Sequence, residues 1–277
     1  MTDNIERIFR DRSDNRFGET LNECVATFLD YRRWTTLGWM DIRLRYRRTV
    51  LGPWWATLSI GAMIGSVGVV FGSIFGDEMS SYLPFFASGV IIWTLISSGL
   101  IEGCNVFVQA GGLIKSITIP LVLHIYRMQW RLLAVLAHNA VIIAVVWAIF
   151  RWRIDWQIIL ALPGLVLVNV ALFGTALSLG ILCTRFRDIP QIIQAVIQIL
   201  FLLVPIVWKP TSERAAHLGV LLYCNPFYYL IEVVRGPLLG QPPGPLVWLG
   251  AIASASVSIG VGVLLYGKFR HRVAYWL

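Results

Sequence analysis

The chain has 277 residues, 57% of them apolar, 13% aromatic and 14% charged, with a formal net charge of +8. A mean hydropathy of +0.71 lies outside the soluble range and predicts an all-α integral membrane protein. A β-barrel is excluded because the apolar runs do not alternate with period two, and membrane orientation accounts for most of the basic excess, which leaves no ground for nucleic-acid binding.

Residues 1–30 read as a polar cytoplasmic tail. The first 50 residues mix ten basic with eight acidic side chains and hold no apolar core ahead of a cleavage site, so the first span is expected to serve as an uncleaved signal. The next segment, YRRWTTLGWMDIRLRYRRTV from Tyr31 to Val50, places Trp34, Leu37, Met40 and Leu44 near one face, with Asp41, Arg45 and Arg48 displaced from it. This pattern predicts an amphipathic helix in the inner interface, with Trp34 and Trp39 at headgroup depth. Arg43, Arg45, Arg47 and Arg48 are open to two readings: they enforce orientation, or they bind phosphate groups. Gly52-Pro53 is expected to break the helix and turn the chain into the first span.

Six runs are long and apolar enough to span: Trp54 to Phe75, Met79 to Ile101, Leu132 to Phe150, Trp156 to Thr184, Ile189 to Trp208 and Leu246 to Gly267. In the first, Gly61, Gly65, Gly68, Gly72 and Gly76 form a small-residue face suited to close helix approach. In the fifth, Gln191, Gln194 and Gln198 share one face. Amides are costly in hydrocarbon, so that face should meet protein or water, as interhelical glue or as a pathway lining. Between Trp208 and Leu246 two apolar runs too short to span flank Asn225-Pro226, which predicts re-entrant or interfacial helices at a structured outer mouth. Glu232 and Arg235 could pair there as an exposed and weakly stabilising couple.

With the N-terminus inside, inner pieces carry 18 Lys and Arg and outer pieces 5, so both termini are expected in the cytoplasm. Gly262 to Lys268 matches the start of a phosphate-binding loop, but Phe269 replaces the hydroxyl residue and the match ends a span, so no nucleotide site is assigned. Cys24, Cys104, Cys183 and Cys224 lack metal or redox spacing and are taken as free packing residues. His124, His138, His217 and His271 are scattered. Glu102 follows the second span and Asp188 precedes the fifth, with no close carboxylate pair or nucleophile constellation; no catalytic or metal site is expected.

Three stretches carry a family likeness: RYRRTVLGPWW (Arg45 to Trp55), RFRDIPQIIQ (Arg185 to Gln194) and NPFYYLIEVVRGPLLG (Asn225 to Gly240). Together they resemble the permease subunit of ABC-2-type polysaccharide exporters, which move O-antigen, capsule, teichoic acid or related glycans across bacterial plasma membranes. The likeness covers about Tyr31 to the C-terminus, a single transmembrane domain over residues 31–277. It implies a homodimer with two copies of a separate ABC ATPase, which would bind ATP and Mg while this chain binds no cofactor. It further implies that residues 31–50 form a gate helix and that a coupling helix lies within residues 108–122, with Gly111, Gly112, Ile114, Lys115 and Pro120. Outer gate helices would lie at 211–222 and 226–239. The implied substrate is a glycan on undecaprenyl diphosphate, which favours phosphate binding by the four arginines, since guanidinium forks suit phosphate oxygens. Two other readings compete: an ABC-2 permease for a drug or small lipid, and a membrane-embedded enzyme modifying glycans or lipids.

Overall fold

The computed structural model describes residues 17–52, 54–75, 78–150, 155–210, 219–220 and 222–277, and every regular element among them is helical. In chain order these include α1 (17–29), α2 (Tyr31–Arg45), α3 (Trp54–Phe75), α4 (Met79–Gln109), α5 (Gly111–Ser116) and α6 (Val122–Phe150). A 3-10 turn (Trp156–Leu160) leads into α7 (Ala161–Arg185), followed by α8 (Ile189–Leu203), α9 (Pro226–Leu238), α10 (Pro245–Phe269) and α11 (Val273–Trp276). Local chemistry sets several boundaries. Pro226 and Pro245 open α9 and α10, where a missing N–H costs nothing, and the Asn225 side chain caps α9 by accepting from the Phe227 N–H at 3.0 Å.

α4 forms the centre of the body, packed between α6 and α7, and α10 closes against the far side of α7. The α7–α10 crossing is close because glycines form it. A Cβ on Gly262 would lie 2.5 Å from the Gly174 carbonyl oxygen, and one on Gly174 would strike the backbone of Ser258 and Ile259. Ser258 ties the same crossing with a 2.6 Å hydrogen bond to the Ala171 carbonyl. Gly262, which opens the rejected phosphate-loop match, is thus a packing residue within a helix.

Among the described residues five helices are long and apolar enough to cross a membrane: those beginning at Trp54, Met79, Val122, Trp156 and Pro245. The expected fifth span, Ile189 to Trp208, differs. Its helix stops at Leu203 after 15 residues, about 22 Å, short of a hydrocarbon core of about 30 Å. The physical reason is Pro205, which lacks an N–H and forces Val204 into extended backbone (φ −78°, ψ 137°). The glycine face of the first span also departs from expectation within the protomer. Gly68 packs closely on Leu83, but a Cβ on Gly61 would come no nearer than 3.9 Å to Ile142 and one on Gly65 would meet nothing within 4 Å. Gly76 and the surroundings of Gly72 lie outside the described residues. α3 is instead tied to α6 by a buried Thr57 hydroxyl that donates to Asn139 Oδ1 at 3.1 Å.

Candidate functional site

α2 lies against the first turns of α6 along a seam built from Trp34, Gly38, Asp41 and Arg45, four positions that share one helical face. Gly38 permits the approach, since a Cβ there would meet the Trp130 ring at 2.7 Å and the Arg127 carbonyl at 3.1 Å. Trp34 joins an aromatic cluster with Phe28, Tyr126 and Trp130, while Trp39, Met40 and Leu44 remain exposed. The expected apolar stripe is therefore split: Trp34 turns to the protein and Met40 and Leu44 turn away from it. The helix is also shorter than residues 31–50. It ends at Arg45, and Arg47 and Arg48 fall in the following turn, where Arg48 adopts φ 83°, a strained conformation for a side-chain-bearing residue. Pro53 lies outside the described residues.

Beneath this seam is an ion cluster. Asp41 accepts from Arg127 Nε at 2.5 Å, from a second Arg127 nitrogen, and from Arg131 at 2.5 Å. Arg131 also donates to Glu102 at 2.8 Å, and Glu102 takes a further pair of bonds from Arg45 at 3.3 Å. Burial pushes the Asp41 carboxyl up, but the bonds and charges of Arg127 and Arg131 outweigh it and hold the group below its ordinary 3.8. A cavity of about 260 Å³ opens among these groups, lined by Asp41, Arg45, Val106, His124, Arg127 and Arg131, with Gln109 and Ala110 where α4 meets α5. His124 is 3% exposed and neither ring nitrogen has a partner among the described residues; Arg131 Nε is likewise unpartnered. Glu102 and Asp41, 61 positions apart in the sequence, are thus joined through Arg131, where no carboxylate pair is expected from the sequence. A charge census holds the signal: Arg127 and Arg131 sit four residues apart just before the expected third span, and Glu102 is the sole acidic residue between positions 79 and 154.

Of the four expected phosphate-binding arginines, Arg45 is committed to Glu102 with its side chain 51% exposed. Arg43, Arg47 and Arg48 are exposed, and none pairs with a carboxylate among the described residues. Gly111–Ser116 forms a short helix within residues 108–122, where a coupling element is expected, and Gly111 and Gly112 begin its first turn. Gly111 is buried, and a Cβ there would meet the Leu277 side chain at 3.5 Å; Ile114 packs inward, Lys115 is exposed, and the Pro120 carbonyl accepts from Leu123 N–H to start α6.

Gln191, Gln194 and Gln198 are all exposed on α8, and none of their side-chain amides hydrogen-bonds another residue among those described. Beyond α8 the irregular stretch 204–207 is buried, and two of its carbonyls are satisfied by side chains: Tyr82 donates to the Val207 oxygen at 2.6 Å and Arg235 to the Pro205 oxygen at 2.5 Å. Arg235 also bonds Glu232 and lies 4.1 Å from the Phe85 ring centroid. The Glu232–Arg235 couple is thus present, but its arginine is 1% exposed, contrary to the expected surface pair. The helix expected at 211–222 lies mostly outside the described residues, as does His217; the one expected at 226–239 is α9. Cys24, Cys104 and Cys183 are buried free thiols, whereas Cys224 is exposed and not a packing residue. No group of three or more His, Cys, Asp or Glu with metal-binding geometry occurs among the described residues.

An all-helical body with several apolar spans, a helix lying across one end and a short helix joining two of the spans has the build of a transport permease. Residues 32–239 match the ABC-2 type transporter family, and the chain belongs to that family. A comparison with curated proteins finds no match. The chain is therefore a multi-pass membrane component of a transporter, and its family works with an ABC ATPase.

Proposed function

We propose that two copies of this chain, with two copies of a separate ABC ATPase, form an exporter for a polysaccharide carried on undecaprenyl diphosphate, O-antigen or a related surface glycan, across the bacterial inner membrane. The observation that carries this reading is the exposed row Gln191, Gln194 and Gln198 on an otherwise apolar helix. Neutral amides offer donors and acceptors to sugar hydroxyls and release them readily, which suits a chain that must move through many equivalent positions. The short α8 and its broken end at Pro205 support a path wall that opens toward the outer mouth, of which α9 is one element. Both termini lie in the cytoplasm in this arrangement, which the 18 to 5 distribution of basic residues supports. α2 is the gate helix, with Arg43, Arg47 and Arg48 free to meet lipid phosphate. α5 is the coupling helix, whose exposed Gly112 and Lys115 are available to the ATPase; ATP and Mg stay on that partner.

The test is the triple change of Gln191, Gln194 and Gln198 to Leu. The expected result is an assembled permease–ATPase complex with surface glycan lost and lipid-linked glycan accumulating inside the cell. Normal glycan export from the assembled variant overturns the pathway reading, and a complex that falls apart in detergent assigns the amides to the interface between subunits.

A further inference from the structure

We infer that the cavity under α2 is a binding site for a phosphate-type oxyanion. Three guanidinium groups, Arg45, Arg127 and Arg131, face two carboxylates there, Asp41 and Glu102, which leaves one positive charge in excess. The carboxylates are already saturated by arginine, so the unused capacity of the cavity is mostly donor: Arg131 Nε, the remaining N–H groups of Arg127 and Arg45, and one His124 nitrogen. A buried imidazole carries one N–H donor and one acceptor on divergent edges of the ring, and a phosphate oxygen in the cavity would accept from the N–H of one His124 nitrogen. His124 belongs to the first turn of α6, a 29-residue helix whose dipole favours negative charge at that end. At about 260 Å³ the cavity holds several waters or a phosphate group with room to spare. The half-exposed Arg45 and the exposed Gln109 at its rim give access from outside.

The position gives the site a consequence. Its walls are the end of α2, the end of α4 at the joint with α5, and the start of α6. An anion seated there competes with Asp41 and Glu102 for the arginines that hold α2 down, and so loosens or re-seats α2 relative to α5. Only the identification of the anion with the substrate's own diphosphate rests on the export reading; the phosphate chemistry does not.

Inorganic pyrophosphate is the probe. The purified full-length chain is placed in phosphatidylcholine nanodiscs in phosphate-free buffer, without glycan or ATPase, and titrated calorimetrically. Saturable binding of one pyrophosphate per chain is expected. His124→Phe should weaken it about tenfold, the loss of one charge-assisted hydrogen bond, and Val106→Phe should weaken it by filling the cavity. His124→Phe breaks no bond within the described protein, so its thermal midpoint without pyrophosphate should equal or exceed the wild type's. Repeating the titration with phosphatidylglycerol in the nanodisc separates the sources: competition assigns the site to a phospholipid headgroup, and unchanged binding assigns it to a phosphate that is free or borne by the substrate. No pyrophosphate binding by the wild-type chain, or equal binding by both variants, overturns the inference. Export failure in the glutamine triple variant with pyrophosphate binding intact bears on the transport path alone.

Discussion

Near α2, Arg127 and Arg131 share Asp41, Arg131 and Arg45 share Glu102, and an open cavity lies among them; some 20 Å away along α4, Arg235 is 1% exposed, held by Glu232 and the Pro205 carbonyl and roofed by the Phe85 ring. Both places bury arginine, yet they differ in what the arginine holds. The first cluster joins side chains from three separate helices, so every bond in it can be exchanged for another. The second joins residues three apart on one helix to a backbone carbonyl that has no helical partner, so its bonds have no substitute. An exchangeable cluster suits a part that moves, and a locked one suits a part that must not.

The comparison breaks most severely at Arg235. Arg235→Met strands the Pro205 carbonyl and leaves Glu232 with no cation, and should cost about 3–5 kcal/mol, read as a lowered thermal midpoint in detergent. A loss below about 1 kcal/mol would show that this end is no more locked than the other. Asp41→Asn should cost less, about 2 kcal/mol, because Arg131 keeps Glu102. Gly38→Ala forces a methyl against Trp130 and the Arg127 carbonyl and should cost about 1–3 kcal/mol while freeing α2, seen as faster amide exchange over residues 31–45.

pH sharpens the same contrast. The folded Asp41 carboxyl lies below 3.8, so its stabilisation is complete above that value and is lost only as pH falls through the lower folded value. The midpoint difference between wild type and Asp41→Asn should therefore stay constant from pH 8 to 5. The smallest effect is expected at Arg48, where φ is 83°. Arg48→Gly relieves that backbone and should raise stability by less than about 1 kcal/mol, while export falls if its charge meets lipid phosphate. Unchanged export would return Arg48 to the orientation role.

Local patterns were enough to find the apolar helices, though not every end of them: α2 stops at Arg45, α8 at Leu203, and α6 starts at Val122. The apolar runs are long, Pro226 and Pro245 mark helix starts, and Asn225 sits where a cap is needed, because each of these depends only on neighbours in the chain. Even the stop at Leu203 was written in Pro205. Its meaning was not, because the broken turn is tolerated only through Tyr82 and Arg235, which are 123 residues before and 30 after it.

Glycine and charge needed the third dimension. A glycine row along α3 reads as a contact face, yet the close crossing is made by Gly174 and Gly262, because contact depends on the shape of the facing helix and not on the row itself. Four arginines crowd residues 43–48, yet the charges that anchor α2 are Asp41 with Arg127 and Arg131, brought together from 86 and 90 positions apart. Sequence by itself determined that this chain crosses a membrane and where several of its helices begin, since those follow from apolar length and local backbone chemistry. The third span, expected from Leu132, starts ten residues earlier at Val122 because Arg127 and Arg131 are neutralised by Asp41 and Glu102 from other helices. Tertiary structure alone decided which charges are spent on one another and which remain free, because an ion pair forms by distance in space, and distance along the chain does not set it.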